Sequence, residues 1–173
     1  VCIPRRPVCE YCPVAAYCLA YERGTQTQRP VKKAKAPLQT VRVAAAIIRD
    51  TSGRYLLIQR PPEGLFGGLW MFPGGHCENE ESYTACLQRV LPATLGINVH
   101  PGLEMATAAQ DLTHLRMNVR ALACELQSGA DEIKSLNAIA WAAPSDFHRY
   151  AMAKADRDIA RALAQWQPRL FEE

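Results

Sequence analysis

Residues 75–97, GHCENEESYTACLQRVLPATLGI, are the stretch that decides the fold. Its middle part, Glu80–Leu91, carries apolar side chains at helical spacing, which predicts an amphipathic helix. The face expected to be buried consists of Tyr83, Leu87, Val90 and Leu91. Pro92 follows directly, and because proline lacks the amide hydrogen that a helix interior needs, we expect the helix to end or kink there.

The segments before this helix predict strands. Val41–Ile48 is an apolar run rich in small and β-branched residues, typical of a buried strand. After a turn at residues 50–53, Tyr55–Gln59 predicts a second strand, and we expect the two to pair as a hairpin. Leu69–Phe72 predicts a short strand that runs into the Pro-Gly-Gly turn before the helix.

The segments after the helix complete the expected fold. Leu115–Glu125 alternates apolar and polar side chains, which predicts a strand with one buried face. Residues 145–150 predict a short helix, and residues 156–166 predict an amphipathic helix with an inner face of Ile159, Leu163 and Trp166. This order predicts an α/β (α+β) fold, an α/β/α sandwich in which helices cover both faces of a mixed sheet.

The chain changes character upstream of this fold. We predict a cysteine-rich loop at residues 1–22, a linker at residues 23–38 and a globular domain at residues 39–173. Residues 1–40 carry a net charge of +5 and the remainder −2, within a total of +3. A basic segment of this kind either contacts a polyanion or is a solvated linker, and charge alone does not decide between them.

Composition also indicates where the protein acts. No apolar run approaches the roughly 18 residues that a membrane span needs, and residues 1–7 carry no signal-peptide stretch. We therefore expect a soluble, cytoplasmic protein with no membrane partner. Because the chain starts at Val1, we expect it to be a piece of a longer polypeptide.

Four of the seven cysteines lie within the first 18 residues: Cys2, Cys9, Cys12 and Cys18. Clustered thiols in an intracellular chain favour metal binding over disulfides, and four thiolates hold either an iron–sulfur cube or tetrahedral zinc. The spacing resembles the cysteine loop of the endonuclease III and adenine glycosylase superfamily, which implies a 4Fe–4S cluster on these four residues. The remaining cysteines lack metal spacing and are expected to be buried or free thiols: Cys77, Cys86 and Cys124.

The same resemblance implies a role for the loop between the first two cysteines. In the superfamily this loop contacts the DNA backbone, and here it carries Arg5 and Arg6. A guanidinium group offers a planar fork of donors that suits phosphate, so we expect both arginines to bind the DNA backbone. The alternative is that they only solvate the loop.

The frame of residues 75–97 resembles the box of Nudix hydrolases, Gly-x5-Glu-x7-Arg-Glu-U-x-Glu-Glu-x-Gly-U, where U is aliphatic. Four positions match: Gly75, Glu81, Arg89 and Gly96. The three glutamates that follow the arginine are replaced by Val90, Ala93 and Thr94. Those glutamates hold a divalent cation through oxygen, so we expect no Nudix hydrolysis here and a structural role for Glu81 and Arg89.

Residues 59–73, QRPPEGLFGGLWMFP, resemble the QRP loop and strand of the A/G-specific adenine DNA glycosylases. With the cysteine loop and the degenerate Nudix box, the resemblance covers essentially the whole chain. It implies the C-terminal portion of a base excision repair enzyme that removes adenine mispaired with 8-oxoguanine. The catalytic helical domain would lie upstream, so we expect this portion alone to be inactive. The implied partners are that domain and double-stranded DNA with the mispair, and we expect a monomer.

The family's Nudix-like domain senses 8-oxoguanine partly through a Phe-Ser-His loop. The matching positions here are Leu112, Thr113 and His114. Thr113 keeps a hydroxyl that both donates and accepts, and His114 keeps the ring, so we expect both to contact DNA. Leu112 departs from the aromatic residue, which weakens any stacking role. The alternative is a polar strand edge without a ligand.

Two other functions compete with this one. The first is a stand-alone Nudix hydrolase acting on nucleoside diphosphate-linked substrates. The second is a zinc-stabilised nucleic-acid adaptor with no enzymatic partner.

Overall fold

The computed structural model describes residues 2–3, 6–31, 38–128, 133 and 137–165. The chain divides into two compact units, residues 1–37 and residues 38–173. No helix in the described part of the chain has the length and apolarity that crossing a bilayer requires.

The first unit consists of single turns. Three short 3-10 segments, Cys9–Tyr11, Ala15–Tyr17 and Gln26–Gln28, accompany one short helix, α1 (Leu19–Glu22). Each turn closes through backbone bonds three residues apart, such as Cys12 N–H to the Cys9 carbonyl at 3.1 Å. The described residues of these turns bury no side chain fully, so the unit has no apolar core of its own within them.

Among its described residues, the second unit contains two sheets and two helices. A four-stranded sheet has the order β4 (Gly74–His76), β1 (Gln39–Ile48), β6 (Leu115–Ser128) and β5 (Asn98–Asp111). A three-stranded sheet has the order β3 (Trp70–Met71), β2 (Tyr55–Gln59) and β7 (Ile139–Ala142). The helices are α2 (Tyr83–Leu95) and α3 (Lys154–Gln165), and a 3-10 segment spans Pro144–Arg149.

The side chains of β1 alternate between two hydrophobic cores, one on each face of the four-stranded sheet. Val43, Ala45 and Ile47 belong to a core that contains Ile159 and Leu163 of α3. Ala44, Ala46 and Ile48 belong to a second core that contains Leu87 and Leu91 of α2. Since successive side chains of a strand point to opposite faces, each face of β1 receives its own helix. The strands β1 and β6 pair in parallel and the other pairs are antiparallel, so the expected α/β/α sandwich with a mixed sheet is confirmed.

The expected hairpin between β1 and β2 is wrong. The turn itself forms, with Asp50 N–H bonded to the Arg54 carbonyl at 2.9 Å and a single bridge between Arg49 and Tyr55. Beyond that bridge, β2 belongs to the three-stranded sheet. There β2 pairs with β3 and β7 instead of β1.

Helix α2 differs from the expectation at both ends. It begins at Tyr83 rather than Glu80 because Ser82 is the N-cap, its hydroxyl accepting from Ala85 N–H at 3.1 Å. It passes through Pro92 and ends at Gly96, which adopts φ 68°. Buried Leu91 and Leu95 flank the proline, so packing of this face outweighs the one lost helical hydrogen bond.

Several downstream elements also differ in extent. The inward face of β6 is buried as expected at Met117, Val119 and Ala121, but Leu122 and Cys124 on the other face are buried too. Strands β4, β5 and β7 were not expected. The late helix begins at Lys154 and buries Ile159 and Leu163, while Trp166 lies outside the described residues.

Candidate functional site

The four clustered cysteines of the first unit surround one cavity of about 220 Å³. All four are free thiols, and the rest of the described lining is mostly apolar, including Ile3, Val8 and Ala15. Burial raises the pKa of the Cys9 thiol, and the other three clustered thiols raise it further, which reflects their proximity. The sequence prediction that these cysteines act together therefore has a matching geometry.

This cavity has room for more than one atom. A single water molecule needs only about 10–15 Å³ on the same measure. Tetrahedral zinc binds sulfur at about 2.3 Å, and an iron–sulfur cube is also held by four thiolates. The donor set, four thiols around an apolar space, therefore fits a metal centre, either tetrahedral zinc or an iron–sulfur cube.

The loop arginines are only partly described. Arg6 is exposed, and its backbone N–H donates to the Ile3 carbonyl at 3.1 Å, which closes a turn after Cys2. Arg5 lies outside the described residues. An exposed guanidinium on this turn is free to meet a phosphate from solvent.

In the second unit, Arg89 of α2 holds the loop before that helix through ion pairs with Glu81 and Glu78. Arg89 donates to both carboxylate oxygens of Glu81, at 2.8 and 2.7 Å, and Glu81 also accepts from Glu78 N–H at 2.9 Å. The Arg89 hydrogen bonds lower the pKa of Glu81 to about 2. A Cβ on Gly75 would come within 2.9 Å of the Val90 side chain, so the loop passes tightly over α2. Gly96 ends the same helix.

A cleft of about 600 Å³ lies beside this loop. Gly74, Gly75, Ala93 and Thr94 line one part of it, and Glu63 is the one acidic side chain among its lining residues. Ala93 carries no polar group, and the Thr94 hydroxyl donates to the Val90 carbonyl at 2.8 Å. The described wall of this cleft therefore lacks the set of carboxylates that would hold a hard cation.

A buried carboxyl lies close to the cleft. Asp156 is only 7% exposed, and its Oδ1 accepts from Phe72 N–H at 3.2 Å. Burial raises its pKa to about 6, while the charge of Arg60 acts in the opposite direction. Arg60 lies 5.7 Å from the centre of the Phe66 ring, and its buried Nε finds no hydrogen-bond partner among the described residues.

Sequence reasoning missed Asp156. Aspartate is common in the first turn of a helix, where it interacts favourably with the helix dipole. The sequence therefore gives no sign that this aspartate is buried. Arg60 belongs to the loop of residues 59–73. The structure places both side chains in the lining of one small cavity of about 20 Å³.

The predicted lesion-sensing residues lie at one end of the four-stranded sheet. Thr113 and His114 are exposed in the turn that joins β5 to β6. Leu112 N–H donates to the Leu115 carbonyl at 2.8 Å, and the Arg116 guanidinium donates to the Asp111 carboxylate at 2.7 Å. Both contacts connect the residues that flank the turn. Leu112 is half-buried and packs against the core rather than projecting outward.

Two further cysteines form a group that the sequence did not predict. The ligand atoms of Cys77, Glu81 and Cys86 all lie within 4.8 Å of one another, as a metal ion would require. Cys86 is buried in α2, and burial together with the Cys77 thiol raises its pKa to about 12. These cysteines are nine residues apart, and a strand-to-helix turn brings them together.

Comparison with known proteins adds relatives of two kinds. The CTP pyrophosphohydrolase of Escherichia coli strain K12 is 30% identical over 73% of this chain and 93% of its own length. The adenine DNA glycosylase of Homo sapiens is 24% identical over 97% of this chain, which spans 39% of that protein. The solution structure of the E. coli ORF135 protein has a TM-score of 0.64 and 28% identity, covering 73% of this chain and 92% of that one.

The family match agrees with the geometry of the loop, helix and cleft. The NUDIX domain family matches residues 44–162, which include both sheets, α2 and most of α3. This stretch is well over half of the chain. The protein therefore belongs to the Nudix domain family.

Proposed function

We propose that this chain is the C-terminal, lesion-recognising portion of an adenine DNA glycosylase of base excision repair. The observation that carries the proposal is the combination of a four-thiol cavity with a Nudix cleft that lacks its carboxylates. Nucleotide hydrolysis does not require the four-thiol cavity. A cleft without carboxylates cannot hold the divalent cation that Nudix hydrolysis needs. In this proposal the chain binds damaged DNA, and a helical domain elsewhere in the whole protein cuts the glycosidic bond.

The coverage of the two kinds of relative supports this choice. The match to the human glycosylase extends over 97% of the chain, so it includes most of residues 1–37, about a fifth of the total. The match to the pyrophosphohydrolase covers 73%, a share that the Nudix domain alone accounts for. The chain is about two fifths of the glycosylase's length, so the activity of a whole enzyme is part of the proposal.

In the proposed complex, each described residue has a limited task. Arg6 would bind a backbone phosphate, and Thr113 would exchange hydrogen bonds with the edge of the oxidised purine. His114 would contact either the base or its phosphate. When bound, a 4Fe–4S cluster would tie the four thiolates together and so order the loop that carries Arg6.

The proposed cluster predicts a spectroscopic result. Replacing Cys12 by serine removes one of four thiolates, so we expect at least a several-fold loss of bound iron and of the broad visible absorbance. The matched control is Cys124→Ser, since Cys124 is a free thiol buried in the second unit and far along the chain from the cavity. Zinc instead of iron in protein purified without added metal would contradict the proposal.

The lesion-sensing turn predicts a change in preference. In the intact enzyme or this chain, Thr113→Ala should reduce the preference for 8-oxoguanine over guanine opposite adenine by about 10-fold, the value of one good base contact. Thr107→Ala is the control, because Thr107 is an exposed threonine within β5 rather than in the turn. Binding of matched duplexes with and without the oxidised base measures both ratios, and an unchanged ratio removes Thr113 from the site.

One observation favours a second candidate, a Nudix nucleotide hydrolase. The Arg60 guanidinium lines the wide cleft, the buried Asp156 carboxyl lies beside it in a cavity of about 20 Å³, and a CTP pyrophosphohydrolase is among the relatives. Incubation with nucleoside triphosphates and Mg²⁺, followed by pyrophosphate release, tests this candidate. Turnover well above the background of an Asp156→Ala variant would favour it over lesion recognition.

A further inference from the structure

The group formed by Cys77, Glu81 and Cys86 has the dimensions of a metal site. Tetrahedral zinc with sulfur at about 2.3 Å and oxygen at about 2.0–2.2 Å keeps its ligand atoms roughly 3.5–3.8 Å apart. The three ligand atoms here already lie within 4.8 Å of one another. Shifts of about 1 Å or less would therefore bring all three onto one ion.

Neighbouring backbone groups hold the three side chains in place. Cys77 directly follows β4, and its N–H donates to the Arg42 carbonyl at 2.9 Å. The Cys86 thiol, in the first turns of α2, donates to the Gly75 carbonyl at 3.6 Å. Glu81 lies on the connecting loop, held by the N–H of Glu78. Such pre-positioning lowers the entropy lost on binding a metal.

The charges of the group suit a soft divalent ion. Two thiolates and the Glu81 carboxylate carry three negative charges. A divalent ion and Arg89, bound to Glu81 at 2.7 Å, balance them. Thiolate sulfur favours zinc over magnesium, which needs oxygen ligands. Glu81 accepts hydrogen bonds from Arg89 and from Glu78 N–H, and it also contacts the Cys86 thiol, whose proton a bound metal would displace.

We infer that Cys77, Cys86 and Glu81 supply three ligands of a zinc site that ties the end of β4 to α2, with water as the fourth ligand. The group borders the core beneath α2, which includes Cys86 and half-buried Cys77, whereas the wide cleft is lined by residues such as Ala93 and Thr94. A metal there would brace the loop-helix junction rather than act on a substrate. This inference is independent of the proposed DNA-repair function.

Zinc binding by the full chain tests the site. The test uses a variant in which the clustered thiols of the first unit are removed so that they cannot bind zinc. That variant has serine at Cys2, Cys9, Cys12 and Cys18. We expect it to retain about one equivalent of zinc after dialysis. Adding Cys77→Ser or Cys86→Ser should weaken zinc affinity at least 100-fold, more than loss of an outer-shell contact does. Adding Cys124→Ser instead should change nothing, because Cys124 lies outside the group.

A second measurement does not depend on the four-serine variant. In the otherwise unmodified chain, cadmium titration should show thiolate-to-metal charge-transfer absorbance, and Cys77→Ser should remove one bound equivalent. Equal cadmium stoichiometry in the two proteins would overturn the inference. So would a four-serine variant that binds no zinc.

Discussion

Replacing Gly74 by alanine is expected to destabilise the second unit by about 3 kcal/mol or more, one of the two largest effects we predict. A Cβ at this position would lie 2.0 Å from the Ala44 carbonyl oxygen and 3.0 Å from the Ala45 Cα. Both atoms are backbone, so no side chain can rotate away, and β4 must separate from β1. For a unit of this size the midpoint of thermal unfolding should fall by about 10 °C.

Gly102 provides the matched control for this substitution. It lies within β5, and a Cβ there would meet only the Ala123 carbonyl oxygen at 3.6 Å, an ordinary contact. Gly102→Ala should therefore shift stability by less than about 0.5 kcal/mol. Chemical and thermal unfolding of the two variants give the comparison, and similar midpoints would show that β4 adapts to a side chain without loss.

The elements that sequence could predict are those with strong local periodicity. The bounds of β2 agree with the prediction, and the apolar run of β1 and the inner stripe of α3 lie where expected. Strand β5 could not be predicted, since residues 98–111 contain Pro101, Gly102 and three alanines, all weak strand formers. Its conformation comes from pairing with β6 in an irregular register, a tertiary effect.

The candidate site divides in the same way. Residues recognised by spacing, such as Cys9 with Cys12 and Glu81 with Arg89, do lie together in the structure. The approach of Cys77 to Cys86 and the burial of Asp156 depend on how distant elements pack, and neither leaves a local pattern. Long-range geometry therefore supplied what composition and motif could not.

Replacing Asp156 by asparagine is the second large effect we expect, and it should stabilise the protein near neutral pH. Burial raises the folded-state pKa of Asp156 to about 6 from the ordinary 3.8. Between these values the folded state binds more protons than the unfolded state, so wild-type stability falls as pH rises from about 4 to 6. Above pH 7 the ionised carboxylate then costs up to about 3 kcal/mol, from roughly two pKa units at 1.36 kcal/mol each.

Asparagine keeps the Oδ1 acceptor for Phe72 N–H but carries no charge, so it should remove this penalty. Urea unfolding from pH 4 to pH 8 should show no gain in stability at the acidic end and a gain of about 2–3 kcal/mol at the alkaline end.

The control substitution, Asp158→Asn on the same helix, should change stability with the opposite sign. The Lys154 contact lowers the pKa of Asp158, so its small contribution is present at neutral pH and lost as pH falls. A difference between wild type and Asp156→Asn that stays constant across this pH range would mean that the carboxyl is hydrated or fully paired. If the gain is found, a buried charge has been kept at the expense of stability. The small cavity that Asp156 shares with Arg60 then becomes the place where that charge is used.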